Sequence, residues 1–156
     1  MARLARIAFL ATLLVAAVAL AACSGDTTEK NRYLRELTAA QTRYQTTARR
    51  IEAGATPTST PRQDRRTLDR FAAAIADTIA ALQAIEPPPQ VAREHAAFVG
   101  VFEAWHADVE RFTTAIDNPT RRGVARAQRL IAVANRMFNR SLRRAGTDID
   151  AKLASS

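Results

Sequence analysis

Glu103-Ala104-Trp105-His106 places a carboxylate and an imidazole three residues apart, one turn of a helix and therefore on one side of it. That is the spacing with which helical bundles present a pair of ligands to a metal. A di-metal centre of this kind needs a second Glu–His pair and two further inward carboxylates. The only other histidine, His95, has Ala92 three residues before it, and no Asp or Glu occurs between Thr120 and Gly146. Glu103 and His106 also fall beside the apolar line through Phe102 and Trp105, so they read as a solvated pair and no metal ligand is assigned. His95 falls on that line, where a lone histidine ordinarily has a hydrogen-bonded ring at the edge of a core. The sequence has no C-x-x-C-H haem attachment, no Gly-rich phosphate loop and no motif setting a Ser or Thr nucleophile beside a histidine base. No catalytic residue and no cofactor is assigned, and the chain is read as non-enzymatic.

The elements that position these residues are helices. Abundant Ala, Leu, Arg and Gln, five glycines and no alternating Val/Ile/Thr runs point to an all-α chain. Asp26, three residues before Glu29, has the form of an N-cap, and Tyr33, Leu34, Leu37, Gln41, Tyr44, Ala48 and Ile51 recur at helical spacing until Gly54. A turn-rich stretch from Thr56 to Pro61 follows, and Thr60-Pro61-Arg62-Gln63 reads as a capping box with proline at the first helical position. Leu68, Phe71, Ile75, Ile79, Leu82 and Ile85 line the second helix, which Pro87-Pro88-Pro89 ends.

The third helix is the most regular. Val91, His95, Phe98, Phe102, Trp105, Val109, Phe112 and Ile116 alternate steps of four and three, the seven-residue period that near-parallel packing requires. Asn118-Pro119 closes it and can cap a fourth helix, whose Val124, Ala127, Ile131, Ala134, Phe138 and Leu142 face one way up to Gly146. The last ten residues, 147–156, form a tail that either extends this helix or frays. Short connections favour antiparallel neighbours, so the expected architecture is an antiparallel up-down-up-down four-helix bundle over residues 27–146. The alternative is a three-helix core with the first helix as a detached stalk.

Charge is concentrated on the fourth helix. Between Thr120 and Gly146 there are eight arginines and no acid. Arg122, Arg126, Arg129, Arg136, Arg140 and Arg143 fall within about 100° of arc, opposite the Ile131/Phe138 seam. One reading is a solvated face that pairs with acids such as Glu36, Asp108 and Glu110. The other is a contact surface for a polyanion or an acidic protein.

The N-terminus supplies the address. Arg3 and Arg6 precede an apolar run from Ile7 to Leu20, and Leu20-Ala21-Ala22-Cys23 carries the chain's single cysteine. The run has 14 residues, short of the roughly 20 that span a bilayer as a helix. This arrangement resembles the signal peptide and lipobox of bacterial lipoproteins. The resemblance implies cleavage after residue 22, a diacylglyceryl (and palmitate-type) modification of Cys23, a tether of residues 23–26, and attachment to the cell membrane on its outer side. Ser24 is not the Asp that marks inner-membrane retention, so an outer membrane is open to it in a diderm cell. Leu82-x-x-Ile85-x-Pro87-Pro88-Pro89-x-Val91-x-x-x-His95 is similar to an arrangement in small helical lipoproteins of GC-rich bacteria. It implies a fold and a location, and no site residue. Leu37-Thr38-Ala39-Ala40-Gln41 resembles the LTxxQ motif of Spy-type periplasmic chaperones, but it occurs once and mid-helix, so no role is carried over.

Cleavage would leave 134 residues with a formal charge of +6, two below that of the full chain. That length suits one domain. If the bundle is antiparallel, the connections at the end away from Cys23 gather Arg49, Arg50, Arg62, Arg65, Arg66, Arg111, Arg121 and Arg122, about 35–40 Å from the anchoring bilayer. The expected partner is then an anionic envelope component or an acidic protein. The address argues against nucleic acid. A sensor or carrier with a bundle cavity near His95 and Trp105 is the alternative.

Overall fold

The computed structural model describes residues 26–54, 59–116 and 121–155, with the backbone alone at Asp26, Pro61, residues 115–116 and residues 121–128. Four helices make up nearly all of it: α1 (Asp26–Ala53), α2 (Pro61–Gln83), α3 (Ala92–Ile116) and α4 (Arg121–Ala154). A 3₁₀ turn, Pro89–Val91, leads into α3. No strand occurs among the described residues. The chain is an all-α four-helix bundle.

Local chemistry sets the boundaries. At the start of α2 the Thr60 hydroxyl accepts from the Gln63 amide while the Gln63 side chain accepts from the Thr60 amide, a reciprocal cap worth about 1 kcal/mol. The Ser59 hydroxyl adds a bond to Asp64. Three prolines cannot continue α2, and Pro88 adopts φ −52°, ψ 143°, an extended conformation that turns the chain without a loop. Val91 belongs to the 3₁₀ turn rather than to α3, and it is fully buried there.

Side-chain pairs give the helix directions. Tyr33 of α1 meets His95 of α3, and eleven residues on Tyr44 meets Trp105, so α1 and α3 run the same way. Phe138 of α4 packs on Phe102 and Trp105, while Ala145, Asp148 and Lys152 lie beside Arg93, Glu94 and Ala97. Thus α4 runs back along α3. The end of α2, at Leu82, meets the first turn of α3 at His95.

The core is continuous across all four helices. Ile75, Leu82, Phe98, Phe102, Val109, Phe138 and Leu142 are buried along the predicted seams, each large side chain contributing about 1.5–3 kcal/mol relative to exposure. Tyr33, Leu37, Ala40, Tyr44, Ala48 and Ile51 are buried too, so α1 is a wall of the bundle and not a detached stalk.

The limit at Gly146 is corrected. Helix α4 continues to Ala154, because Ala145 and Ile149 are buried and Leu153 packs on the core. Gly146 has no left-handed φ and has open space beside it, so it does not act as a helix stop. Asn118-Pro119 and most of the Thr56–Pro61 connection lie outside the described residues.

Candidate functional site

The buried polar residues of the core come first. His95 is enclosed, with Nε2 3.1 Å from the Leu82 carbonyl and Nδ1 3.1 Å from the Tyr33 hydroxyl. A carbonyl only accepts, so Nε2 carries the proton and Nδ1 accepts from Tyr33. The ring thereby ties α1, the end of α2 and α3 together, and it is neutral. Burial holds its pKa below the ordinary imidazole range, partly offset by the bond to Leu82. Burial, assisted by Asp150 and Glu94, pushes the Tyr33 hydroxyl up to about 12, which keeps it a donor.

Ten residues along α3, the Trp105 indole N–H donates to the Tyr44 hydroxyl at 3.0 Å. Tyr44 is pushed up to about 12, mainly by burial. Its ring stands edge-on to Phe102 and Phe138, and Trp105 stacks on Phe138 with centroids 5.2 Å apart. Edge-on and offset contacts of this kind add to area burial. What surrounds His95 and Trp105 is thus paired polar atoms and packed rings.

The Glu103/His106 pair does not come together. Glu103 is exposed and accepts from the Gln83 amide at 3.3 Å, whereas His106 is half-buried and lies 3.8 Å from Glu110. No group of three His, Cys, Asp or Glu side chains able to hold a metal occurs among the described residues.

The arginine face is built by α4. Its apolar residues Ile131, Phe138, Leu142, Ala145 and Ile149 turn inward, so a helix of 3.6-residue period must turn its opposite side outward. That side carries Arg129, Arg136, Arg140 and Arg143, all exposed. The side chains of Arg122 and Arg126 lie outside the described residues, although the backbone there is helical. Two of the acids named as partners are engaged elsewhere: Asp108 binds Arg111 one turn along α3, and Glu110 lies by His106. Among the described residues, no ion pair joins Arg129, Arg136, Arg140 or Arg143 to an acid. Cys23 lies outside the described residues.

Two features escaped the sequence reading. Tyr33 and Tyr44 were placed on the α1 seam, but not as partners of His95 and Trp105; the near-equal spacings, 33 to 44 and 95 to 105, were the available signal. Leu130, Val133 and Met137 are exposed on the outside of α4, and their i, i+3, i+7 spacing away from the main seam could have shown it.

No protein family, curated protein or solved structure matches this chain. The functional reading therefore rests on the sequence, the fold and its surface. Among the described residues no helix is long and apolar enough to cross a membrane.

Proposed function

We propose that the protein is a lipid-anchored envelope protein, attached through Cys23, whose helical domain binds or scaffolds an anionic envelope component or an acidic protein and performs no catalysis. The observation that carries this reading is the set of outward arginines on α4 without acidic partners among the described residues. Four such charges on one rigid helix face create a positive potential that attracts anions over roughly a Debye length. The address rests on Leu20-Ala21-Ala22-Cys23 following its apolar run. Two acyl chains suffice for stable attachment, and α1 begins three residues beyond Cys23, so the domain would follow the anchor directly.

The surroundings of His95 and Trp105 favour this reading over a metal- or ligand-carrying cavity. A metal at His95 would have to displace Tyr33 from Nδ1 or the Leu82 carbonyl from Nε2. A ligand at Trp105 would have to part it from Phe138.

The address is checked by mass spectrometry of the protein from its native membrane: an N-terminal Cys23 carrying a diacylglyceryl group is expected, and an unmodified Cys23 within an intact leader contradicts the anchor. The contact role is checked by binding of the full chain to isolated envelope as salt is raised. A steep fall in affinity supports it, and salt-independent binding counts against it.

A further inference from the structure

The arginines of α4 share their face with apolar side chains. Leu130, Val133 and Met137 are the large hydrophobic residues exposed among the described residues, at 50%, 44% and 61%. Single exposed apolar residues are ordinary. Three at i, i+3 and i+7 on one helix form a strip within about 60° of arc and about 10 Å long. Arg129, Arg136 and Arg140 run along one edge of that strip.

We infer that this face docks an acidic amphipathic helix of another protein, which packs lengthwise against α4 with its apolar residues on Leu130, Val133 and Met137 and its carboxylates on the flanking arginines. The inference rests on the contact-face reading above and names the partner. The spacing is that of side-by-side helix packing, in which residues three, four and seven apart interdigitate. Charge complementarity selects an acidic helix. A second copy would bring like charges together, because no Asp or Glu occurs between Arg121 and Thr147. A polyanionic polymer would use the arginines and leave the apolar strip in water. A bilayer is the other occupant that would meet both the arginines and the apolar strip, and the test below separates it from a protein helix by the adduct formed.

The test places the photo-crosslinking residue p-benzoylphenylalanine at Val133 in the full chain, in native envelope, with the same residue at exposed Ala76 of α2 as control. Irradiation should give a Val133-specific adduct that maps to a helical segment with Glu or Asp flanking an apolar seam. Adducts to lipid, to glycan or to another copy of this chain, or no adduct, overturn the proposal. A second measurement uses two synthetic helical peptides with Leu at heptad positions a and d, one flanked by Glu and one by Lys. The full chain in detergent micelles should bind the Glu peptide at least about tenfold more tightly, and Met137→Glu should abolish that preference. Equal affinity for the two peptides overturns it. A lipid adduct together with salt-sensitive envelope binding would sink this partner while leaving the contact-face reading standing; salt-independent envelope binding would sink that reading itself.

Discussion

The Tyr33 hydroxyl donates to Nδ1 of His95 across 3.1 Å, from one helix to another 62 residues away in the chain. The Leu82 carbonyl fixes the proton on Nε2, so this single neutral ring joins three helices. Protonation would turn Nδ1 into a second donor, so the Tyr33 hydroxyl would have to turn and accept, and the buried ring would carry a charge.

The pH dependence of stability follows. His95 is held below its ordinary value of 6.5, so the unfolded chain binds its proton more readily than the folded one. The contribution is complete above that ordinary value and is lost as pH falls through it toward the folded pKa. Thermal midpoints should fall between pH 7 and 5, and His95→Gln should flatten that slope. Asp150 and Glu52, raised mainly by burial, act in the opposite sense but in the lower carboxylate range. An unchanged slope in His95→Gln would show that another group carries it.

Removing one oxygen from either tyrosine tests the pairing directly. Tyr33→Phe leaves His95 Nδ1 without its donor, and Tyr44→Phe leaves the Trp105 N–H without its acceptor. Each should cost about 1–3 kcal/mol, the usual cost of stranding a buried polar group. Denaturant unfolding gives the value, and Tyr44→Phe should also shift Trp105 fluorescence. A cost near zero for either would mean that its hydrogen bond adds nothing.

Gly146 and Gly100 sit inside helices with space for a methyl group and without a left-handed φ. Alanine at either position should stabilise the bundle by about 0.5–1 kcal/mol. If Gly146→Ala destabilised it, the continuous α4 described above would be wrong.

The seam of α3 was legible because its steps of four and three are unbroken, and that of α2 because its apolar residues recur at helical spacing ahead of three prolines, although its steps run three, four, four, three and three. The cap at Thr60 was legible because Thr and Gln three residues apart can form the reciprocal pair wherever the backbone begins a helix. Gly146 has the form of a stop, so the sequence alone does not decide whether α4 ends there or runs on into residues 147–156. Burial of Ile149 and packing of Leu153 outweigh the modest cost of a glycine inside a helix. The tyrosine partners of His95 and Trp105 depend on how α1 registers against α3; the near-equal spacings 33 to 44 and 95 to 105 are compatible with both pairs at once but do not fix that register. The arginine face was legible as periodicity; the apolar strip beside it carries the same kind of signal at Leu130, Val133 and Met137, but Leu130 and Val133 lie close to the core residue Ile131 and pass as part of a hydrophobic run.

The central claim is that the α4 face makes the contact. Its most direct test compares two variants of the full chain for binding to isolated envelope at low salt. One changes Arg129, Arg136, Arg140 and Arg143 to Glu; the other changes Arg32, Arg35, Arg43 and Arg50 of α1, all exposed, and alters net charge equally. Loss of binding by at least about tenfold in the α4 variant, with the α1 variant close to wild type, is the predicted result. Equal loss in both would reduce the effect to net charge, and full binding by the α4 variant would contradict the account.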